Sequence, residues 1–222
     1  VSEAWNIATG TGIKVAIIDT GVDLNHPDLQ SNLLPGYDAT GEGSNGNQTG
    51  NAHGTACAGI VASVGNNNIG TVGIAYNAKI IPVKVFPTTG NPTDNMIANG
   101  INWAWQNGAD ILSNSYGGGS YSSTIANAIT NAVYNGRNGK GSIVLFSSGN
   151  DNGSVSFPAT VTNAIAVGAS SMCDQRKYPN SCDGEYWWGS NYGTGLDLVA
   201  PGVKIYTTDI SGSTGYNSGD YR

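Results

Sequence analysis

The sequence predicts an α/β domain in three layers, with a mostly parallel, twisted sheet and helices on both faces. Three observations carry that expectation. Short apolar runs rich in Val, Ile and Leu recur along the chain, as strands buried on both faces require. Segments with apolar residues at helical spacing stand between several of these runs. Glycine supplies 33 of the 222 residues, so tight turns between elements are many.

The elements follow in order. Residues 13–18 form an apolar run that stops at the carboxylate of Asp19 and the turn at Gly21. Residues 53–64 read as a helix whose small residues, Ala56, Ala58, Gly59 and Ala62, permit close packing. Residues 79–86 form the next strand. Residues 95–106 read as a helix, with Met96, Ile97, Ile101 and Trp105 at helical spacing. A strand over 111–115 and a helix over 124–133 come next. Residues 142–147, 164–168 and 196–199 read as three further strands. Ligands of such a sheet bind beyond the carboxyl ends of its strands, and Asp19, Ser115 and Asn150 fall at or just past such ends. Nothing repeats and no linker divides the chain, so residues 1–222 read as one domain. The polar stretches 41–51 and 211–219 read as mobile loops open to proteolysis.

Composition excludes several classes. The formal net charge is -6, against the basic surface that nucleic-acid binding needs. No apolar run approaches the roughly 20 residues that span a bilayer, and no secretory leader pattern opens at Val1. No Gly-x-Gly-x-x-Gly follows the first strand and no phosphate loop is present, which argues against a nucleotide-binding domain. Cys173 and Cys182 flank a short polar loop and read as a local disulfide, which favours a secreted protein; the alternative is two free thiols. Cys57 lies one helical turn after His53, and is either a thiol nucleophile or a small residue packed inward.

Asp19, His53 and Asn150 carry the candidate chemistry. An Asp at a strand end can orient an imidazole and stabilise its protonated form. A His opening a helix can take a proton from a hydroxyl and return it to a leaving amine. A neutral Asn amide beyond a strand end can stabilise a developing oxyanion without titrating. Singly, each has an ordinary alternative as a turn or helix-start residue. Together, in the order Asp then His, they supply two members of a Ser-His-Asp triad and an oxyanion donor.

On these residues the chain resembles the subtilisin-like serine proteases, the subtilases, nearly from end to end. Asp19-Thr20-Gly21 is similar to the family's Asp-Thr-Gly motif, His53-Gly54-Thr55 to its His-Gly-Thr motif, and Ser148-Gly149-Asn150 to the strand end bearing its oxyanion asparagine. Ser115, Tyr116, Gly117 and Gly118 resemble the substrate-binding strand, and Ala200-Pro201-Gly202 the family's Ala-Pro-Gly segment. A cysteine soon after the histidine, as at Cys57, occurs in some branches. The resemblance implies a subtilisin-like fold and a serine endopeptidase acting on polypeptides. The family's Gly-Thr-Ser nucleophile motif does not occur in these residues. Ser211, Ser213 and Ser218 neither follow Gly-Thr nor precede an apolar helix, and read as loop residues. The expectation is a peptidase domain incomplete at both ends, its serine supplied from beyond residue 222, on a separate C-terminal chain or a trimmed continuation. The 222-residue chain alone is then inactive. The alternative is an inactive protease-fold module that binds peptides.

The same resemblance implies the remaining sites. The peptide lies as an added strand between one wall at Ser115, Tyr116 and Gly117 and another at Ser147, Ser148 and Gly149. Ser156 stands at the base of an open pocket for a large apolar or aromatic side chain, with Asp151 at its rim. The second edge of the groove falls at Gly90-Asn91-Pro92, where Pro92 lacks an N–H. A structural calcium site falls on Asp28 and Asn67 with the carbonyls of Gly65, Ile69 and Thr71, all oxygen ligands; simple turn capping is the alternative for Asp28 and Asn67. A second, weaker site falls on Asp197 with the carbonyls of Ala159, Val161 and Ala164. A propeptide or protein inhibitor is a further expected partner. His26 reads as a surface residue. The segment from Cys173 to Cys182, with Trp187 and Trp188 after it, exceeds the shorter family members and has no function assigned by resemblance.

Overall fold

Side-chain alternation along one central strand sorts the molecule into its layers. In β1 (Lys14–Asp19), Val15 and Ile17 point to one face of the sheet, and Ala16 and Ile18 to the other. The computed structural model describes residues 2–222. On the first face, Val15, Ile17 and Ile80 pack against Ala58 and Ala62 of α2 (His53–Ala62). On the second, Ala16, Ile18, Ile81 and Val83 join Ile97 and Ile101 of α3 (Asp94–Gln106) and Ile125 and Ile129 of α4 (Ser123–Gly139) in the larger core. A one-turn helix, α1 (Ser2–Trp5), precedes β1.

Seven strands make the sheet: β1, β2 (Tyr37–Asp38), β3 (Lys79–Lys84), β4 (Ile111–Asn114), β5 (Ile143–Ser147), β6 (Ile165–Ser170) and β7 (Leu198–Pro201). Their order is β2-β3-β1-β4-β5-β6-β7, and every pairing is parallel. The chain builds outward from β1 in one direction and then in the other, so a crevice opens at the carboxyl end of β1. Asp19 stands there.

The expected α/β architecture is present, with shifts at the edges. Helix α4 runs on past 133 to Gly139 through non-helical residues Gly136, Arg137 and Asn138. Strand β7 starts two residues later than expected. α1, the 3-10 turn Gln30–Asn32 and β2 were not expected, because segments this short carry no periodic signal. Thr93 and Ser122 cap α3 and α4 by accepting the N–H groups of Met96 and Ile125. The loop 211–219, expected to be mobile, is pinned. Asp209 accepts the N–H groups of Tyr216 and Asn217 at 3.0 and 2.8 Å, Asp23 that of Ser211 at 2.9 Å, and Asp220 that of Gly212 at 2.9 Å.

One part of the sheet is poorly covered. On the face that carries α2, Leu145, Ile165 and Val167 are only half-buried, Ile143 is 42% exposed and Leu198 47%. The opposite side chains, Val144, Phe146 and Ala166, lie in the large core.

Candidate active site

Asp19 ends β1 with its carboxylate inside the protein, and Oδ1 accepts the N–H of Thr20 at 2.7 Å. The His53 ring meets the same oxygen, with Nδ1 2.8 Å from Oδ1. Two details bring helix α2 close enough for this contact. Thr20 Oγ1 accepts the N–H of Gly54 at 3.0 Å and donates to the carbonyl of Asn51 at 3.3 Å. Gly54 itself has no alternative: a Cβ there would stand 2.2 Å from the carbonyl oxygen of Gly21 and 3.2 Å from the Asp19 Cβ.

With Nδ1–H donated to Asp19, Nε2 is the accepting nitrogen of the neutral ring. The side chains of His53 and Asp19 are 42% and 3% exposed, so the pair is wet at the imidazole and dry at the carboxylate. The hydrogen bond to Asp19, and after it the neighbouring Cys57 side chain, raise the imidazole pKa above its ordinary value, against the opposing effect of burial. Cys57 Sγ lies 3.9 Å from Nδ1, the nitrogen already engaged by Asp19. The sulfur therefore does not face the basic nitrogen, and the reading of Cys57 as a nucleophile loses its base. Cys57 packs against the core of α2 instead.

His53 and Asn150 line two adjoining cavities. One, of about 780 Å³, adds Trp187, Trp188, Tyr206, Tyr216 and Arg222. The other, of about 600 Å³, adds Ser115, Ser147, Ser148 and Gly149. Asn150 follows β5 on a loop whose shape is set by Asn191. The Asn191 amide oxygen accepts the N–H groups of Asp151 and Gly153 at 2.9 and 3.0 Å. Its Nδ2 leaves room for no Cβ at Gly149, whose φ is 109. Sequence reasoning missed Asn191, since a buried asparagine in a polar run leaves no local signal.

The two expected substrate walls come together. Tyr116 is anchored by its phenol, which donates to Asn114 Oδ1 at 2.9 Å, while Asn114 Nδ2 donates to the Leu145 carbonyl at 3.0 Å. Burial, and then the Asp19 charge, hold the Tyr116 phenol well above its usual pKa, so it stays a neutral donor. Gly118 N–H donates to the Phe157 carbonyl at 3.0 Å. Ser156 spans the gap between the walls: its Oγ lies 3.0 Å from where a Cβ on Gly117 would stand and 2.9 Å from one on Gly149. The Ser156 hydroxyl donates to the Ser148 carbonyl at 3.2 Å, which puts a polar group between the two walls. Pro92 lies at the edge of a separate apolar hollow of about 450 Å³ with Phe86, Ile97, Tyr116, Tyr121 and Phe157.

The expected cation ligands make protein contacts. Asp28 accepts from Asn67 Nδ2 at 2.7 Å, from the Thr71 N–H at 3.0 Å and from the Tyr221 hydroxyl at 3.3 Å. Burial, and then Asp28, push the Tyr221 phenol up to about 12. Gly65, Asn67, Ile69 and Thr71 belong to the loop beside Asp28, and the N–H of Ile69 donates to Asn67 Oδ1 at 3.2 Å. Asp197 accepts the N–H of Ala166 at 2.8 Å, and the Val161 carbonyl accepts that of Ala164. His26 is not on the surface. It is fully buried, accepting the N–H of Asp28 on Nδ1 at 3.1 Å, which leaves Nε2 to donate to the Asp220 carbonyl at 2.9 Å. Cys173 and Cys182 are disulfide-bonded. Among the described residues, no helix is long and apolar enough to cross a membrane.

Comparison with known proteins identifies the family and the fold. The subtilase family profile matches residues 10–221. The chain is 40% identical over 207 residues to thermitase of Thermoactinomyces vulgaris, covering 93% of this chain and 68% of that protein. It is 39% identical over 211 residues to an alkaline protease of Alkalihalobacillus alcalophilus, covering 93% of this chain and 49% of that protein. A solved protease structure from Pseudoalteromonas arctica superposes with a TM-score of 0.81 at 32% identity, covering 98% of this chain and 74% of that one.

Proposed function

The chain belongs to the subtilase family, and we propose that it forms most of the catalytic domain of a secreted serine endopeptidase. In this reading Asp19, His53 and a serine from beyond residue 222 hydrolyse peptide bonds, with Asn150 stabilising the oxyanion. The observation that carries it is the Asp19–His53 contact of 2.8 Å, with Asn150 lining the same cavities as the imidazole.

The chemistry follows from that arrangement. His53 Nε2 takes the serine proton as the hydroxyl attacks the scissile carbonyl, and Asp19 stabilises the imidazolium that forms. The Asn150 amide donates to the carbonyl oxygen as it becomes an oxyanion. His53 then passes its proton to the leaving amine, and water repeats the sequence on the acyl-enzyme. Two features support entry of the serine from outside the chain. Arg222 lines the cavity of His53 and Asn150. The part-exposed face of Ile143, Leu145, Ile165 and Val167 is apolar surface that a helix following the serine would cover.

The substrate strand runs along Ser115, Tyr116 and Gly117, with the residue before the cut between that wall and Ser147, Ser148 and Gly149. The pocket above Ser156 takes a large apolar or aromatic side chain, with Asp151 at its rim. Calcium fits the donor chemistry of Asp28, Asn67 and the carbonyls of Gly65, Ile69 and Thr71, because all are hard oxygen donors; bound there it would clamp the loop to the 26–28 turn. Asp197 with the Ala159, Val161 and Ala164 carbonyls is the weaker candidate. The disulfide supports an extracellular setting. A propeptide or inhibitor would occupy the same groove as substrate. A peptide-binding module without turnover is the second reading.

Fluorophosphonate labelling of the complete protein, followed by peptide mapping, separates the two. Label on one serine beyond residue 222, absent after His53→Ala, is the expected result. Peptide binding with neither label nor turnover would leave only the second reading.

A further inference from the structure

Asn191 takes no part in the reaction above, yet the chain is fastened to it on both sides of Asn150. We propose that Asn191 is a positioning residue for the oxyanion donor: its buried side chain aims the Asn150 amide, and so acts on turnover rather than on substrate binding. The proposal rests on the peptidase reading.

Asn150 cannot aim itself. Among the described residues, nothing hydrogen-bonds its side chain, which lines both cavities beside His53. The direction of the amide therefore follows from the backbone that carries it. That backbone is pliable by composition: Gly149 has φ of 109 and Asn152 φ of 54, and glycine holds no conformation of its own. An oxyanion donor must nevertheless stand about 2.7–3.1 Å from the point where the charge develops. The stretch needs anchors from elsewhere in the fold.

The anchors come from residues 189–191. The main-chain N–H of Asn191 donates to the Gly149 carbonyl at 2.9 Å, and its Oδ1 accepts the Asp151 N–H at 2.9 Å. These two groups flank the α-carbon of Asn150, one before it and one after. The same Oδ1 accepts the Gly153 N–H at 3.0 Å, so the turn after Asn150 closes around a single oxygen. Gly189 donates its N–H to the Asn150 carbonyl at 3.2 Å, and Ser148 Oγ donates to the Asn191 carbonyl at 3.2 Å. Asn191 is 1% exposed, so water does not compete for its amide oxygen.

The two halves of this clamp act on different parts of the site. The main-chain half holds Gly149, which belongs to the substrate wall, and persists whatever side chain stands at 191. The side-chain half holds the N–H groups beyond Asn150, and disappears with the amide. Truncation at 191 therefore loosens the donor and leaves the wall in place.

The test is a double-mutant cycle on the complete protein, with kcat and KM measured on one peptide amide substrate. Asn191→Ala should lower kcat about tenfold, a loosening short of the ~1 Å displacement that costs about 10²-fold, with KM within about twofold. In an Asn150→Ala background the same substitution should lower kcat less than about twofold, because no donor is left to aim. Asn191→Ser, which keeps a small polar group but lacks the reach of the amide oxygen, gives the same cycle if Asn191→Ala does not fold. Equal kcat losses in both backgrounds, an effect mainly on KM, or an unchanged kcat in both single variants at 191 would overturn the positioning role. No hydrolysis by the unmutated protein would overturn the peptidase reading and this inference with it.

Discussion

The Nδ1 of His53 and the Oδ1 of Asp19 lie 2.8 Å apart across the junction of a helix start and a strand end. The carboxylate is sealed while the imidazole reaches water. This asymmetry fixes the ring orientation and leaves Nε2 available on the cavity side.

The first consequence is electrostatic. Asp19→Asn should lower the His53 pKa, because the carboxylate is the main group raising it. The pair's contribution to stability is full below the unfolded value near pH ~6.5 and is lost as pH rises through the raised folded value. NMR titration of the His53 ring reads both effects; an unchanged midpoint in Asp19→Asn would contradict the assignment.

A steric consequence concerns Gly54. In Gly54→Ala the new methyl would meet the Gly21 carbonyl at 2.2 Å, forcing α2 away from β1. Overpacking of this kind costs about 1–3 kcal/mol, and displacement of His53 by even ~1 Å should cost about 10²-fold in turnover. Denaturant melts and kinetics of the variant test this; wild-type values in both would show that the helix has slack.

The oxyanion role predicts a particular kinetic split. In the complete protein, Asn150→Ala should lower kcat by about 10²–10³ with KM nearly unchanged. A raised KM with unchanged kcat would instead mark Asn150 as a ground-state binding residue.

Acid stability should depend on Glu42. The Lys84 ammonium, followed by Thr88, holds the Glu42 carboxyl down to about 2, and Lys84 is buried with its Nζ 2.7 Å from Glu42 Oε2. A depressed pKa gives stability that is present above the unfolded value near ~4.5 and is lost as pH falls towards 2. Melting temperature measured from pH 5 to pH 2 should fall less steeply for Glu42→Gln than for wild type. Parallel curves would show that the pair carries no acid dependence.

The central strand, the parallel sheet and the residues Asp19, His53 and Asn150 were legible in sequence for a physical reason. A strand buried on both faces must be written as a continuous apolar run, and a side chain presented at its end must follow within a residue or two, so the information is local. The same holds for the disulfide, whose cysteines flank one short loop. Tertiary contact alone decided the rest. His26 sits in a polar turn that reads as surface, and is buried because residues near 220 return to cover it. Ser156 was expected at the base of the pocket by resemblance alone; its place between Gly117 and Gly149 comes from the packing of the two walls, which no spacing along the chain encodes. Asn191 shapes the Asn150 loop from some forty residues away. Trp187 was visible only as an aromatic without a role, and lines the cavities of His53 and Asn150 because the segment before it is folded on a buried lysine. Sequence determines what each segment must bury; which distant segments share the burial, and hence the shape of the site between them, is decided only when the layers pack.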